Sequence, residues 1–503
     1  MEILYHIRMR TGARYLGDNR CEFTLWAPLL ESVTLAITHP FKKDFPLKKI
    51  DSEHWQVTLD KVPPGTRYLF NGLPDPASHS QPDGVHGPSE VVNHFSFKWR
   101  DKSFRRPALK DLIIYELHVG AFSPEGTFEG VIKKIPHLVK LGVTAVELMP
   151  VAQFSGARNW GYDGSYPYAP QNTYGGPAGL KKLVDACHRN GLAVILDVVY
   201  NHFGPEGSYA SKFAPYYTHK HKSPWGDAIN FDNAHNQGVR DFFIENALYW
   251  FRDFHLDGLR LDAVHCIYDS SRYTFLAELA ERAGKHGYLI AESDNNDRAI
   301  LENGIHAVWC DDFHHALHTY LTGENNGYYA DFNGLDDLVR SLQEGFVYQG
   351  QFSDFRGRPH GTRSADLAPE RFVVFSQSHD QVGNRMLGGR LSLLAPLEAL
   401  KMAAETVILS PYIPMIFMGE EFAEERPFLY FVNHLDKDLI KAVREGRKKE
   451  FARFNWHMDP PDPEDEKTFL KCKLDWKSAG RGKHKEMFEY YRKLIAERKR
   501  RGN

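Results

Sequence analysis

The sequence has few cysteines, no excess of basic residues and no long hydrophobic run. Its five cysteines, Cys21, Cys187, Cys266, Cys310 and Cys472, are odd in number and show no paired spacing. This argues against a disulfide framework and a compact zinc site, and fits reduced thiols in a cytoplasmic setting. A formal net charge of −3 leaves no basic field, so no nucleic acid is expected as partner. The run "ERKRR" at 497–501 reads as the basic end of a helix, facing its dipole and solvent. "MEILYHIRMR" lacks the apolar core of a signal peptide, and no segment reaches membrane-spanning length. Low-complexity segments are also missing. What is there is an ordinary globular composition, 42% hydrophobic and 25% charged, over a length that suits two or three domains. The 13% aromatic share suits sugar stacking and a packed core equally, and decides nothing.

Two textures divide the chain. Residues 1–95 hold short alternating strands with Pro and Gly turns. In "CEFTLWA" (21–27), Cys21, Phe23 and Leu25 alternate with Glu22, Thr24 and Trp26, and "HWQVTL" (54–59) follows the same pattern. This predicts an N-terminal β-sandwich domain. The turn-rich "DPASHSQPDGVHGPS" (75–89) is read as an arm toward the next domain, and 96–110 as a linker. From 111 to 503, eight short apolar runs recur in order: "LIIYELHV" (112–119), "VTAVELMPV" (143–151), "LAVILDVVYNH" (192–202), "LDGLRLDAV" (256–264), "YLIAES" (288–293), "HAVWCDDF" (306–313), "FVVFSQSHD" (372–380) and "IPMIFMGEE" (413–421). Most are followed by a helix-length stretch. Continuous apolar runs alternating with helices imply parallel strands buried on both faces, and eight such units predict a (β/α)8 TIM barrel. Insertions are expected at about 203–235 and 320–370.

"HLDGLRLDAVH" (255–265) raises the functional question, because Arg260 and Asp262 interrupt an apolar run. Side chains two apart on a strand share a face, so the pair would point together, opposite Leu259 and Leu261. A structural salt bridge is the bland reading. Polar residues also gather at the carboxyl ends of the other strands, the active-site face of a barrel. They are Glu147; Asp197 with Asn201 and His202; Glu292; Asp311 with Asp312; His379 with Asp380; and Glu420 with Glu421. Helix caps and rim salt bridges suffice for Glu147, Glu420 and Glu421. The remainder implies either a metal cluster or acid–base chemistry on a polyhydroxylated substrate. His202, His314, His315 and His379 keep the metal reading open. Arg260 counts against it, since a guanidinium would repel a cation while keeping Asp262 ionised and oriented as a nucleophile.

"DVVYNH" (197–202), "GLRLDAVH" (258–265), "IAES" (290–293) and "SQSHD" (376–380) resemble, in order, the four short motifs of the α-amylase superfamily, glycoside hydrolase family 13. The resemblance implies a retaining glycosidase with Asp262 as nucleophile, Glu292 as general acid/base and Asp380 as transition-state stabiliser. It also implies that Arg260, His202 and His379 contact the sugar in the −1 subsite and that Tyr162, in "NWGYDG" (159–164), stacks on it. Within the superfamily, "ELHVGAFSPEGTFEG" (116–130), "DDFHHALHTYLTGENNGYYADF" (311–332) and "HDQVGNR" (379–385) resemble a trehalose-releasing branch, over a span from roughly residue 15 onward. Its members cleave the α-1,4 bond next to the terminal trehalose unit of a malto-oligosyltrehalose. His265, Asp311, Asp312, His314, Gln381 and Asn384 are carried over as further substrate contacts.

The sequence departs from the family at Ser378, where Asn is usual. Relatives continue into a C-terminal β-domain after a last barrel helix that matches "KEMFEYYRKLIAERKRR" (485–501), and that domain is expected to be absent here. No cofactor and no metal are expected, because the 203–235 insertion offers "HKHK" rather than an acidic cage. The expected partners are malto-oligosyltrehalose and related α-glucans, with no membrane. A glucan-branching transglycosylase and a non-catalytic glycan-binding relative are the alternatives.

Overall fold

The computed structural model of the protein describes residues 10–452 and 460–502. At the N-terminal end, period-two alternation gives each strand one face to bury, and two antiparallel sheets result. One runs in the order Gly12–Gly17, Arg20–Trp26, His54–Leu59, Lys48–Lys49. The other runs Lys43–Pro46, Thr34–His39, Arg67–Phe70, Ser89–Glu90. Cys21, Phe23 and Leu25 share a core with Leu35, Ile37, Tyr68 and Phe70. The opposite side of that strand is not a solvent face at its end. Trp26 is buried against the second domain, edge-on to Tyr216 at 5.0 Å, with its indole N–H donating to Glu53. The helix Asn236–Phe254 approaches this closely because residue 238 is glycine; a Cβ there would lie 2.1 Å from the indole. The 75–89 arm lies across the same domain. Tyr166 donates its hydroxyl hydrogen to the Val85 carbonyl, and Asn172 donates to that of Pro82.

Eight parallel strands close a barrel: Ile114–Leu117, Ala145–Leu148, Ala193–Val198, Gly258–Leu261, Tyr288–Ala291, Ala307–Trp309, Phe372–Val374 and Ile413–Phe417. Each lies inside one of the eight apolar runs. Ile114, Ala145, Ile195, Ile290, Val373 and Met415 fill the lumen, and Phe104 and Leu109 pack against that cluster from the segment entering the barrel. Leu117, Val146, Leu196, Leu259, Leu261 and Leu289 face outward into the layer shared with the helices. Gly482–Arg501 closes the helical ring, packing on Ile135–Leu141 and Leu397–Ile408. Glu420 and Glu421, at the end of strand eight, hold this closure: Tyr491 donates to Glu420 at 2.6 Å, and His137 and Tyr115 lie against Glu421 at 2.7 and 3.0 Å. The 203–235 insertion contains a hairpin, Tyr217–Ser223 with Gly226–Ile229. The 320–370 insertion carries the helix Leu335–Glu344 and a short strand pair. Among the described residues no helix is long and apolar enough to cross a membrane.

Candidate active site

Strands four and five build the centre of the site. Leu261 and Ala291 are register partners, so Asp262 and Glu292 leave adjacent strands one residue later, about 4.8 Å apart along the hydrogen-bonding direction. Arg260, wholly buried, projects between them from inside the barrel. Its Nη1 donates to both oxygens of Asp197, at 3.0 and 2.8 Å, and to Asp262 Oδ1 at 2.7 Å; its Nη2 lies 3.6 Å from Glu292 Oε2. The guanidinium rests on the Trp309 ring, 4.3 Å from its centroid. Asn201 donates to Asp262 Oδ2 at 2.9 Å, so both oxygens of that carboxylate are held. Past the strand the backbone turns sharply at Ala263, a non-glycine residue at φ 39°. The strain aims the Ala263 N–H at Glu292 Oε2, 2.6 Å away.

Strand seven supplies the opposite wall. Ser378, the residue that departs from the family pattern, caps the short helix His379–Gly383: its Oγ accepts from the Asp380 N–H, and its own N–H donates to Gln381 Oε1. This cap presents His379 inward, while Asp380 is 38% exposed in the cleft. His379 Nε2 is 2.7 Å from the Tyr162 hydroxyl, which donates to Asp197 Oδ2, also at 2.7 Å. The His379 and Tyr162 rings stack at 5.2 Å.

Burial sets the electrostatics. It pushes Glu292 up to about 8, with Arg260 opposing and Asp262, Asp380 and Asp311 adding to the rise. It pushes Asp197 and Asp311 up to about 7. Against the lowering effect of burial, Asp380 and Glu116 raise His379 to about 9. Glu147 is neither a helix cap nor a rim ion pair. It stands inside the barrel on strand two, its carboxyl oxygens without a hydrogen-bond partner among the described residues, and burial beside Glu116 and Asp197 raises it well above the usual carboxylate range. A raised carboxyl binds its proton more tightly folded than unfolded, so its cost grows as pH rises above the unfolded value, by about 1.4 kcal/mol per pH unit. Glu147→Gln is therefore expected to raise the melting temperature more at pH 8 than at pH 5. A constant difference between the two pH values would contradict this.

Arg260, Asp262, Glu292, His379, Asp380 and Tyr162 come together. Asp311 joins them through Gln381, whose Nε2 donates to it at 3.2 Å. His202 flanks them, its Nε2 3.0 Å from the Tyr162 carbonyl oxygen, and Asn384 lies 3.5 Å from Asp380 Oδ1. His265 receives the Asp294 N–H on the cleft's outer side. Asp312 and His314 are not brought into the cleft. Asp312 accepts from Asn296 and the backbone of Val347 and Tyr348, tying the insertion to its helix. His314 spends both nitrogens on the Ser376 carbonyl and Tyr329. Two residues were missed by sequence reasoning. Glu116 grips His379, and its signal was available: a carboxylate inside the apolar run of strand one. Trp225, at the tip of the 217–229 hairpin, is 52% exposed and stacks on His202 at 4.2 Å and 13°. Among the described residues no three His, Cys, Asp or Glu side chains group as a metal ion would need.

Comparison with known proteins places this geometry. Residues 74–227 match the family described as alpha amylase, catalytic domain. A malto-oligosyltrehalose trehalohydrolase of Saccharolobus solfataricus is 48% identical, over 97% of this chain and 86% of its own. A protein of the same name from Arthrobacter ramosus is 43% identical, over 95% of this chain and 87% of its own. The crystal structure of an alpha amylase-like protein from Salmonella typhimurium superposes with a TM-score of 0.92 at 41% identity, covering 97% of this chain and 86% of that one.

Proposed function

The chain belongs to the malto-oligosyltrehalose trehalohydrolases and is a glycoside hydrolase that releases trehalose; we propose that Asp262, Glu292 and Asp380 carry the reaction, with retention of configuration. The observation that carries this reading is the pair at the ends of strands four and five: one carboxylate fixed by Arg260 and Asn201, its neighbour on the next strand partly buried, with one oxygen held by the Ala263 N–H and the other left for a proton. In the first step Asp262 attacks the anomeric carbon in the −1 subsite, and the bond to O4 of the trehalose unit breaks. Glu292 gives its proton to that oxygen. Its Oε2 is occupied by the Ala263 N–H, which leaves Oε1 to carry the proton. In the second step water gives a proton to Glu292 and attacks the same anomeric carbon, and its bond to Asp262 breaks, releasing the carboxylate. Asp380, the most open of the three, reaches the sugar hydroxyls and strengthens its hold as positive charge develops on the ring.

Malto-oligosyltrehalose is the substrate this reading assigns, and the five unpaired, buried cysteines support a cytoplasmic location. The deciding experiment is product analysis after feeding maltotriosyltrehalose, maltopentaose and amylose. Trehalose with maltotriose from the first, and little from the others, is expected; new branch points in amylose without trehalose would overturn it. Trp225 offers an exposed ring beside His202, as a sugar-stacking platform. Trp225→Ala is expected to raise KM roughly 2- to 10-fold with kcat little changed, the range of one aromatic contact. A loss confined to kcat would remove that assignment.

A further inference from the structure

Hydrogen-bond arithmetic at His379 leads to a residue outside the catalytic set. The Tyr162 hydroxyl has one hydrogen, which it donates to Asp197 Oδ2; above about pH 7, where Asp197 is ionised, that carboxylate accepts this bond together with two from Arg260. Toward His379 Nε2, 2.7 Å away, Tyr162 can therefore only accept, so Nε2 carries a hydrogen. The other ring nitrogen, Nδ1, lies 2.5 Å from Glu116 Oε1, and a carboxylate is an acceptor only, so Nδ1 carries a hydrogen as well. Glu116 Oε2 meanwhile accepts the main-chain N–H of His379 at 3.1 Å. One carboxylate thus grips both the backbone and the ring of the same residue. The ring is closed in by Trp160 and Trp309, with centroids at 5.7 and 6.0 Å, and has 1% exposure, so water cannot stand in for either partner.

We propose that Glu116 is a positioning residue that keeps His379 doubly protonated, so that substrate meets an imidazolium beside Asp380. This rests on the catalytic reading of Asp380 above. The charges facing His379 come from every side: Glu116 from strand one, Glu147 from strand two, Arg260 from strand four and Asp380 from its own helix. Tyr162 and, through it, Asp197 complete the set, with His118 as a more distant basic group. Arg260 opposes the imidazolium, and Glu116 and Asp380 favour it. Asp380 is in the open cleft and exchanges contacts with substrate, whereas Glu116 is buried and does not. Glu116 is therefore the partner of His379 that stays in place when substrate binds. Its effect is directional. With Nε2 protonated, Tyr162 must aim its hydrogen at Asp197, which keeps the Tyr162 hydroxyl bonded to both groups at once. With Nε2 bare, Tyr162 would donate to His379 and release Asp197.

The test uses the full-length enzyme and its Glu116→Gln and Glu116→Asp variants. Side-chain 15N shifts of His379, read without substrate between pH 6 and 9, are expected to show both nitrogens protonated through neutral pH in the native protein. In Glu116→Gln the transition should fall by about 1–3 pH units, the effect of removing one adjacent opposite charge. The alkaline limb of kcat should move the same way, and kcat should fall up to about 100-fold with a smaller change in KM. Glu116→Asp should restore much of both. A neutral imidazole at pH 7 in the native protein overturns the proposal without needing any variant to fold. So does a Glu116→Gln variant with native shifts and a native pH profile. Because the resonances are read without substrate, this outcome is separate from failure of the hydrolase assignment, which the native product analysis decides.

Discussion

Asp262→Asn is expected to lower trehalose release by roughly 10⁴-fold or more while malto-oligosyltrehalose still binds. The substitution conserves shape. Its Oδ1 can still accept from Arg260, so the guanidinium keeps one of its anchors, and Asp197 supplies the others. What goes is the negative charge, and with it the nucleophile of the proposed first step. A modest structural cost comes with it, because the new amide would face the Asn201 amide, donor against donor, where a 2.9 Å hydrogen bond stood. The measurement pairs chromatographic assay of trehalose with calorimetric binding of maltotriosyltrehalose. A small residue makes the converse test: Asp262→Gly with added azide should regain glycosyl transfer, since azide can occupy the space and attack in place of the missing carboxylate. Turnover near the native rate in Asp262→Asn would remove the mechanism. Loss of binding together with turnover would mean that Asp262 holds the cleft together rather than reacting in it.

The barrel was legible because parallel strands buried on both faces read as unbroken apolar runs, and every strand lies within the run that announced it. The site's centre was legible for the complementary reason. Arg260, Asp262 and Glu292 break such runs, and a charge within a buried strand needs a partner or a task. Side-chain direction was harder to read. Glu147 and Glu292 both interrupt short apolar runs, but Glu147 lies within its strand, points into the barrel lumen and has no hydrogen-bond partner among the described residues, while Glu292 stands at the rim one step beyond its register pair. Asp311 and Asp312 are neighbours at a helix start, about 100° apart around its axis, so only one of them can face the cleft. Spacing alone does not say which. The left-handed turn at Ala263 gave no signal, since glycine is the residue that advertises such a backbone. Trp26 reads as the outer face of an alternating strand, and becomes interior only because a second domain docks there.

Glu292→Gln should separate chemistry from stability in opposite directions. The folded acid is pushed up to about 8, above the unfolded carboxyl value of about 4.3, so the native enzyme holds the proton of the proposed first step through neutral pH and loses it as pH rises through 8. Activity limited by proton donation should fall along that same limb. Glutamine cannot donate a proton to O4, so turnover of malto-oligosyltrehalose is expected to drop about 10²- to 10⁴-fold, and the limb near pH 8 should disappear from what activity is left. An α-maltosyl fluoride needs no proton to expel its leaving group, and its first step should survive the substitution. Stability should move the other way. Between the unfolded and folded values the native state is the one that retains the proton, so each pH unit costs it up to about 1.4 kcal/mol relative to a neutral amide. The variant should therefore melt higher than the native enzyme at pH 8 and close to it at pH 4.5. A variant that is slower on the fluoride as well, and no more stable at high pH, would place the proton elsewhere in the cleft, with Asp311, itself raised to about 7 and 3.2 Å from Gln381, the first group to test.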